Sequence, residues 1–538
     1  MMPARSKHGI GLKKMTAFLP GRNQFPSEKM PLYLLPQEIV NSGTGLPAGK
    51  QAAAASCFRA FCLVLLLQLV SCTPFSPPDR AGAGPDLPAS YSLGEAVREP
   101  AQRWWQTFDS PRLDSLVNEA LAENQDLRSS WARLDRARAL ARAARSELYP
   151  TLTGEADASY SELHTDRIIP GAAGEGDQYS LGLAAGYEID LWGRIRAGAK
   201  SADLAAAASR EDLSAAAMTV AAETAGLWVR VLGSEQRLQL LEQQLETNRN
   251  FLELLELRFR KSIATAVDVM QQKQLVERVR ARIPLAEMEG KLLRDSLAVL
   301  LGRMPGSLPD IGGLPLPEVS GLPPAGVPAE LLHNRPDIRA ALLRLEAADQ
   351  ELVAARAARL PSLRLSGRAT YDSTALEDLF DNWLVNLAAG LSAPLVDGGR
   401  RRAQADAAAA GVDDRLAFYR QAVLTAVREV EEALTREVKN REHILRTGEQ
   451  LRSARDALWA ARNRYRMGAS DYLPVLTQLL SIQNLELDLV TRREELLLAR
   501  IDLYRSLGGS WMEELPPPAG FATMREDEPG TPEQGAPQ

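Results

Sequence analysis

The feature that most restricts the fold of this chain is an internal duplication. Asp126-Leu127, followed by an Arg/Ala-rich stretch to Tyr149-Pro150, recurs 211 residues later as Asp337-Ile338 and a similar stretch to Leu360-Pro361. Gly193-Arg194 recurs as Gly399-Arg400, and Arg258-Phe259-Arg260 as Arg464-Tyr465-Arg466, both at a spacing of 206. Anchors that keep their order identify two copies of one unit. The Pro/Gly-rich stretch from Pro305 to Pro328 lies between them as a linker. The expected boundaries are 72–310 for the first copy, 311–330 for the linker and 331–510 for the second. A Pro-, Gly- and Glu-rich tail over 511–538 is expected to be disordered.

Each copy runs through the same series of periodicities. A first helix stops at Pro150 or Pro361, because proline cannot continue a helical ladder. Strict alternation follows: Tyr179, Leu181, Leu183, Ala185, Tyr187, Ile189 and Leu191 in the first copy, Trp383, Val385, Leu387, Ala389, Leu391, Ala393 and Leu395 in the second. That period of two is a strand with one apolar face. Weaker strands precede these, at Leu152 to Tyr160 and Leu363 to Tyr371. Strands of this length cross a bilayer when tilted, although alternation alone also fits a soluble sheet with one wet face. Hydrocarbon does not tolerate open sheet edges, and the smallest bacterial barrels have about eight strands. If the four strands of one chain span a membrane, several chains must therefore join to close the barrel.

Each second strand leads into a helix of unusual length, Gly193 to Arg260 and Gly399 to Arg466, about 100 Å at 1.5 Å per residue. Leu238, Leu241, Leu245, Leu252, Leu255 and Phe259 fall on a heptad seam broken only by Asn248. Ile482, Leu485, Leu489, Leu496 and Leu503 form another. Both point to coiled-coil packing, with Asn248 setting register. The returning helices, about Ala264 to Gly302 (bent at Pro284) and Asp471 to Gly508, place two tips near Ser262–Thr265 and Gly468–Ser470, far from the strands.

Composition agrees with long helices: aromatics are only 6% and charged residues 25%. The first 71 residues carry a net +6, against −6 for the whole chain, so the remainder stands at −12. That remainder lacks the basic face that nucleic acid demands. The apolar run from Phe58 to Val70 is too short to span a bilayer and ends in Leu69-Val70-Ser71-Cys72, the pattern of a secretory signal. Residues 1–45 have no such pattern, so the true start is expected downstream of Met1, although no Met stands between Met30 and the run. Cys57 and Cys62 would leave with the signal, so no disulfide or thiolate metal site is expected.

The Leu-Val-Ser-Cys ending resembles the lipobox of bacterial lipoproteins, which makes Cys72 the expected lipidated residue. Thr73 in place of Asp resembles the pattern that directs such proteins to the outer membrane.

The series of elements, with Tyr187-Glu188-Ile189-Asp190-Leu191-Trp192-Gly193-Arg194 at the first strand-to-helix turn and Asn334-Arg335-Pro336-Asp337-Ile338 opening the second copy, resembles the outer-membrane efflux proteins related to TolC, in their NodT-type lipoprotein branch. The resemblance runs from Trp104-Trp105 to Gly508. It implies a homotrimer with a twelve-stranded barrel in outer-membrane lipid and a helical periplasmic tunnel. It also implies two partners, a periplasmic adaptor (membrane fusion protein) and an inner-membrane pump. Gly193, Gly398 and Gly399, before Arg194 and Arg400, would supply the backbone angles of the strand-to-helix turns. Arg258, Arg260 and Ser262, with Arg464, Arg466 and Gly468, match the tip motifs that meet the adaptor, and Ser262 departs from the usual glycine. Those arginines could pair with carboxylates across helices and hold the entrance closed. Many relatives place an Asp where this chain has Thr477, and Gln271 holds the matching place in the first copy. That puts a carboxylate constriction in doubt and leaves Asp268 and Asp471 as candidate replacements, with Asp471 at least as suited to capping its helix.

An enzyme would need a convergent polar site, yet His8, His164, His333 and His443 are scattered and no metal spacing or nucleophile motif occurs. No cofactor is expected. A protein-secretion channel would use the same architecture. A lipid-anchored adaptor would carry one hairpin rather than two.

Overall fold

The computed structural model describes residues 75–518 apart from 81, 94–102, 163–174, 309, 310, 312 and 324. Cys72, the signal-like segment and the end of the tail lie outside the described residues. The first copy contains α1 (Pro111–Glu123), α2 (Gln125–Ser146), β1 (Thr151–Glu162), β2 (Glu175–Ile189), α3 (Arg194–Arg260) and α4 (Ala266–Leu300). The second contains α5 (Pro336–Ala357), β3 (Ser362–Ser373), β4 (Trp383–Ser392), α6 (Arg400–Arg466) and α7 (Leu473–Leu507). Both long helices, α3 and α6, have 67 residues. The helix that leads into the first strand of each copy, α2 or α5, starts as its sequence dictates. The Asn124 side chain accepts the Leu127 N–H at 2.9 Å, and Pro336 occupies the first turn of α5, where its missing N–H costs nothing.

The strands form one antiparallel sheet in the order β1-β2-β3-β4. The register places Leu152 beside Ala185, Ala185 beside Gly367 and Gly367 beside Leu387. Side chains alternate faces, so one face collects Leu152, Leu183, Leu365, Tyr371 and Leu391, and the other collects Glu155, Glu188, Arg364, Arg368 and Asn386. β4 ends at Ser392 rather than reaching Leu395 as the alternation predicted, because Pro394 has no N–H with which to extend a ladder.

The two copies interlock. Trp104 stacks on Tyr504 of α7, with centroids 5.5 Å apart and planes 16° from parallel. Trp105 meets Trp511 edge-on at 4.9 Å, and Met512 is fully buried beside them. The expected disordered tail therefore begins too early at 511, since Trp511 and Met512 complete the core of the first copy. In the other direction, the segment ahead of α1 crosses to the second copy. Arg80 makes two 2.7 Å bonds to buried Asp349 of α5, and Tyr91 enters the core between α5, α6 and α7.

The linker is structural as well. Ile311, Leu316 and Ala325 are buried, and the Ser320 carbonyl accepts from Arg500 at 3.1 Å and from Arg441 at 2.7 Å. Arg500 also holds fully buried Glu437 of α6, at 2.9 Å and 3.1 Å from its Nε. Further along the same two helices, Arg335 bonds Asp337 at 2.7 Å, Glu429 at 2.8 Å and the Ser506 carbonyl at 3.1 Å, which joins the start of α5 to α6 and the end of α7.

On the seam, Leu241, Leu245, Leu255, Ile482 and Leu503 are buried and Leu238, Leu252, Leu485, Leu489 and Leu496 partly so. Phe259 departs from the expectation and is 48% exposed. A straight helix drifts by about 20° per heptad relative to a strict seven-residue repeat, which turns the last seam residue outward. α4 continues through Pro284 as one helix. The most apolar part of α3, around Ala217, Val220, Ala221, Trp228 and Val229, is buried among the other helices.

Candidate functional site

Three regions carry the arrangement: the sheet, the strand-to-helix turns and the helical tips. On the polar face of the sheet, Glu188 pairs with Arg194 at 2.8 Å and lies 3.7 Å from Arg364, while Arg368 pairs with Glu155 at 3.2 Å. Of these, Glu155, Arg364 and Arg368, which share one face of the sheet with Glu188, were not singled out in the sequence. Their signal was present in the alternate positions of β1, β2 and β3.

At the first turn Asp190 acts as the hub. Its carboxylate accepts the backbone N–H of Ile195 at 3.2 Å and of Arg196 at 2.9 Å, neutralising donors at the start of α3. Gly193 takes φ 76°, in the left-handed region that only glycine enters freely. The Trp192 indole donates to the Pro361 carbonyl at 2.6 Å, tying the turn of the first copy to the α5–β3 junction of the second. The second turn uses Gly398 at φ 64° and Gly399 at φ 83°. Its hub is Asp397, which accepts the N–H groups of Gly399 at 3.1 Å and Arg401 at 3.2 Å. The Arg401 N–H holds the Asp397 carboxyl below the usual range. The side chain that reaches Asp397 is Arg401, at 3.3 Å, and Arg400 of the turn motif is exposed. Arg401 stands four residues after the aspartate, on the same face of the first turn. Both turns border one cleft of about 400 Å³, lined by Glu188, Asp190, Trp192, Pro361, Ser392 and Arg401.

The tips share one geometry. The N–H of Ile263 bonds the Arg258 carbonyl and that of Ala469 the Arg464 carbonyl, both at 2.9 Å, which closes each helix by a Schellman turn. The left-handed residue is Gly468 at φ 73° in one tip and Ser262 at φ 57° in the other. A side chain there costs about 1–2 kcal/mol. Ser262→Gly is therefore expected to raise the thermal midpoint and Gly468→Ala to lower it, a pair of opposite shifts readable by circular dichroism in detergent.

Among the described residues, the tip arginines do not form the expected ion pairs. The Arg258 guanidinium lies 4.4 Å from the centre of the Tyr465 ring, and Arg462 lies 4.7 Å from that of Phe251. Arg260, Arg464 and Arg466 are exposed, with no ion pair among the described residues. Asp268 is committed to a capping box with Thr265, at 2.9 Å and 3.2 Å. Asp471 is exposed one residue ahead of Tyr472, the N-cap position, and does not cap α7. The Thr477 hydroxyl donates to the Leu473 carbonyl at 2.9 Å.

Gln271 is half-buried, and its neighbour Gln272 carries the buried chemistry instead. The Gln272 amide accepts from Tyr472 Oη at 2.8 Å and donates to the Asn248 carbonyl at 2.9 Å. Gln483 donates to Asn248 Oδ1 at 3.1 Å, and Gln244 to the Gln483 carbonyl at 3.1 Å. Burial pushes the Tyr472 hydroxyl pKa up, keeping it a neutral donor. This polar layer joins α3, α4 and α7 just above the tips. Asn248, 0% exposed, sits on the seam where the heptad spacing placed it, bonded by partners the seam alone did not reveal.

The model of the outer membrane efflux protein family matches residues 116–303 and 327–509, one stretch in each copy. The chain belongs to this family. It is 33% identical over 460 residues to the pyoverdine export outer membrane protein OpmQ of Pseudomonas aeruginosa, covering 84% of this chain and 96% of that protein. It is 30% identical over 471 residues to the toluene efflux pump outer membrane protein TtgI of Pseudomonas putida, with 84% and 98% covered. Among solved structures, the outer-membrane channel OprN superposes with a TM-score of 0.73 at 30% identity, over 82% of this chain and 98% of that one. These relatives supply the frame for the features above: outer membrane proteins of export and efflux systems, and among solved structures an outer-membrane channel.

Proposed function

We propose that this efflux protein works as a homotrimer, in which three four-stranded sheets close a barrel and six helical hairpins form a periplasmic duct. The duct passes small molecules from an inner-membrane pump, through a periplasmic adaptor at the tips, to the outside. The observation that carries this reading is the two-faced sheet with free edges at β1 and β4. One face is apolar and exposed, as lipid requires, and the other carries Glu155, Glu188, Arg364 and Arg368, as a water-filled lumen requires. Unpaired edge groups cannot remain in hydrocarbon, so the edges must meet other copies. At the far end, Ile263, Val267, Met270, Met467 and Leu473 are exposed beside Arg260, Arg464 and Arg466, an apolar and basic surface suited to a protein partner. The tip turns also position Arg258, Ser262 and Gly468 there, while Asp268, Gln271, Asp471 and Thr477 follow at the start of the returning helices.

The lipid on Cys72 is an accessory tether in this reading, because insertion comes from the closed sheet. Outer-membrane fractions solubilised in mild detergent are expected to contain a trimer, for wild type and for Cys72→Ser with a cleavable signal. Deletion of the gene is expected to sensitise cells to small toxic compounds. A monomer, or a peripheral inner-membrane location, would overturn the assignment.

A further inference from the structure

We infer that the groove between the two helical hairpins, just ahead of their turns, binds a small amphiphilic anion: an aromatic carboxylate or sulfonate whose ring enters the groove and whose charged end meets Arg258 and Arg462. Every residue involved belongs to one chain, so the site does not depend on the assembly above.

The groove is built by reciprocal contacts. Arg258 of α3 lies over the Tyr465 ring of α6, and Arg462 of α6 lies over the Phe251 ring of α3, so each hairpin supplies the cation for the other's ring. These residues border a cavity of about 190 Å³, whose buried lining is Leu255, Tyr472 and Val475. Arg466 adds an exposed guanidinium, and no Asp or Glu stands among the described lining residues. The duplication does not account for this arrangement. At the 206-residue spacing Arg462 corresponds to Glu256, Phe251 to Ala457 and Tyr472 to Ala266. The groove therefore arises at positions where the two copies differ.

Its chemistry asks for an anion with an apolar body. The Nε atoms of Arg258 and Arg462 are buried without a hydrogen-bond partner, as is the Tyr465 hydroxyl. Burial lowers the pKa of Arg462, the mark of a cation that nothing nearby fully compensates. Asp268, whose charge is felt at Tyr465 and Tyr472, is committed to its capping box. A guanidinium stacked on a ring keeps its edge available, and that edge is what a carboxylate or sulfonate engages through paired N–H donors. An apolar cavity of about 150 Å³ accepts benzene, so about 190 Å³ takes one ring with an anionic group. A second fused ring would lie on Leu254, which lines the groove and is 49% exposed. An acidic side chain offered by a protein partner would bring the charge, but its one or two methylenes would leave most of the apolar lining uncovered. A bound anion bridges α3 and α6 and so resists separation of the hairpins beside their turns.

The probe is 2-naphthoate, with 2-naphthamide as its neutral counterpart, titrated into the full-length protein in detergent and read by calorimetry against empty micelles. Saturable binding to the parent protein is expected, at least tenfold tighter for the carboxylate than for the amide. Arg258→Gln combined with Arg462→Gln is expected to weaken the carboxylate at least tenfold and the amide less than threefold. Arg452→Gln, at an exposed arginine ten residues before Arg462, is expected to change neither. Leu254→Trp fills the groove from its exposed side and keeps both cations, and is expected to abolish binding of both probes. It reads the site independently if circular dichroism shows the double variant to be unfolded. Equal affinity for acid and amide, no saturable binding to the parent protein, or carboxylate binding that survives Leu254→Trp overturns the site. Preference for a capped Leu-Glu dipeptide over 2-naphthoate assigns the groove to a protein partner and overturns it as well.

Discussion

Arg500→Ala is expected to destabilise the protein by about 3–5 kcal/mol, because it leaves the fully buried Glu437 carboxylate without its main cation. Arg500 is itself buried, and its guanidinium also joins the Ser320 carbonyl, so the substitution releases the linker from α7 as well as uncoupling α6. Arg441 still reaches Glu437 at 3.1 Å, yet from a half-exposed position on the same helix. The double substitution Arg500→Met with Glu437→Leu removes both charges and is expected to recover most of the loss, since apolar groups of similar volume need no partner. Denaturant unfolding in detergent, followed by far-ultraviolet circular dichroism, measures both. If Arg500→Ala unfolds within about 1 kcal/mol of wild type, the clamp does not hold α6, α7 and the linker together.

Leu183→Arg is expected to block insertion. Leu183 sits on the apolar face of β2 with Gly154 and Ala369 as cross-strand neighbours, too small to shield a guanidinium. An arginine facing lipid near the bilayer midplane costs about 2–4 kcal/mol per copy, and a trimer carries that cost three times. Thr153→Arg adds the same charge to the polar face of β1, where water can solvate it, and is expected to insert normally. Flotation of outer membranes separates the outcomes: loss of Leu183→Arg alone supports the assignment of the faces, and equal behaviour of the two variants contradicts it.

Much of the architecture was legible because its determinants are local. Alternation places Leu152 and Leu391 on one face whatever they pack against, and the duplicated anchors fix the order of elements without any knowledge of contacts. The turns were legible through Gly193, Gly398 and Gly399, whose positive φ angles few other residues accept. At the tips the sequence showed the motif and the missing glycine at Ser262, but the roles of the side chains differed. Arg258 lies over Tyr465, and Asp268, a candidate for the constriction, caps its own helix. Which charge meets which partner depends on distances between helices that no spacing along one helix contains.

The amino-acid sequence by itself determined the two copies, the four strands and their apolar face, the long helices and the places where they turn, because period, proline and glycine act within a few residues. Only the tertiary structure decided that Gln272 rather than Gln271 joins the buried polar layer, that Arg401 rather than Arg400 serves Asp397, and that Trp511 and Met512 belong to the core. Each of these turns on the rotational phase at which elements meet. One residue along a helix turns the side chain by about 100°, so a small difference in that phase selects a neighbour.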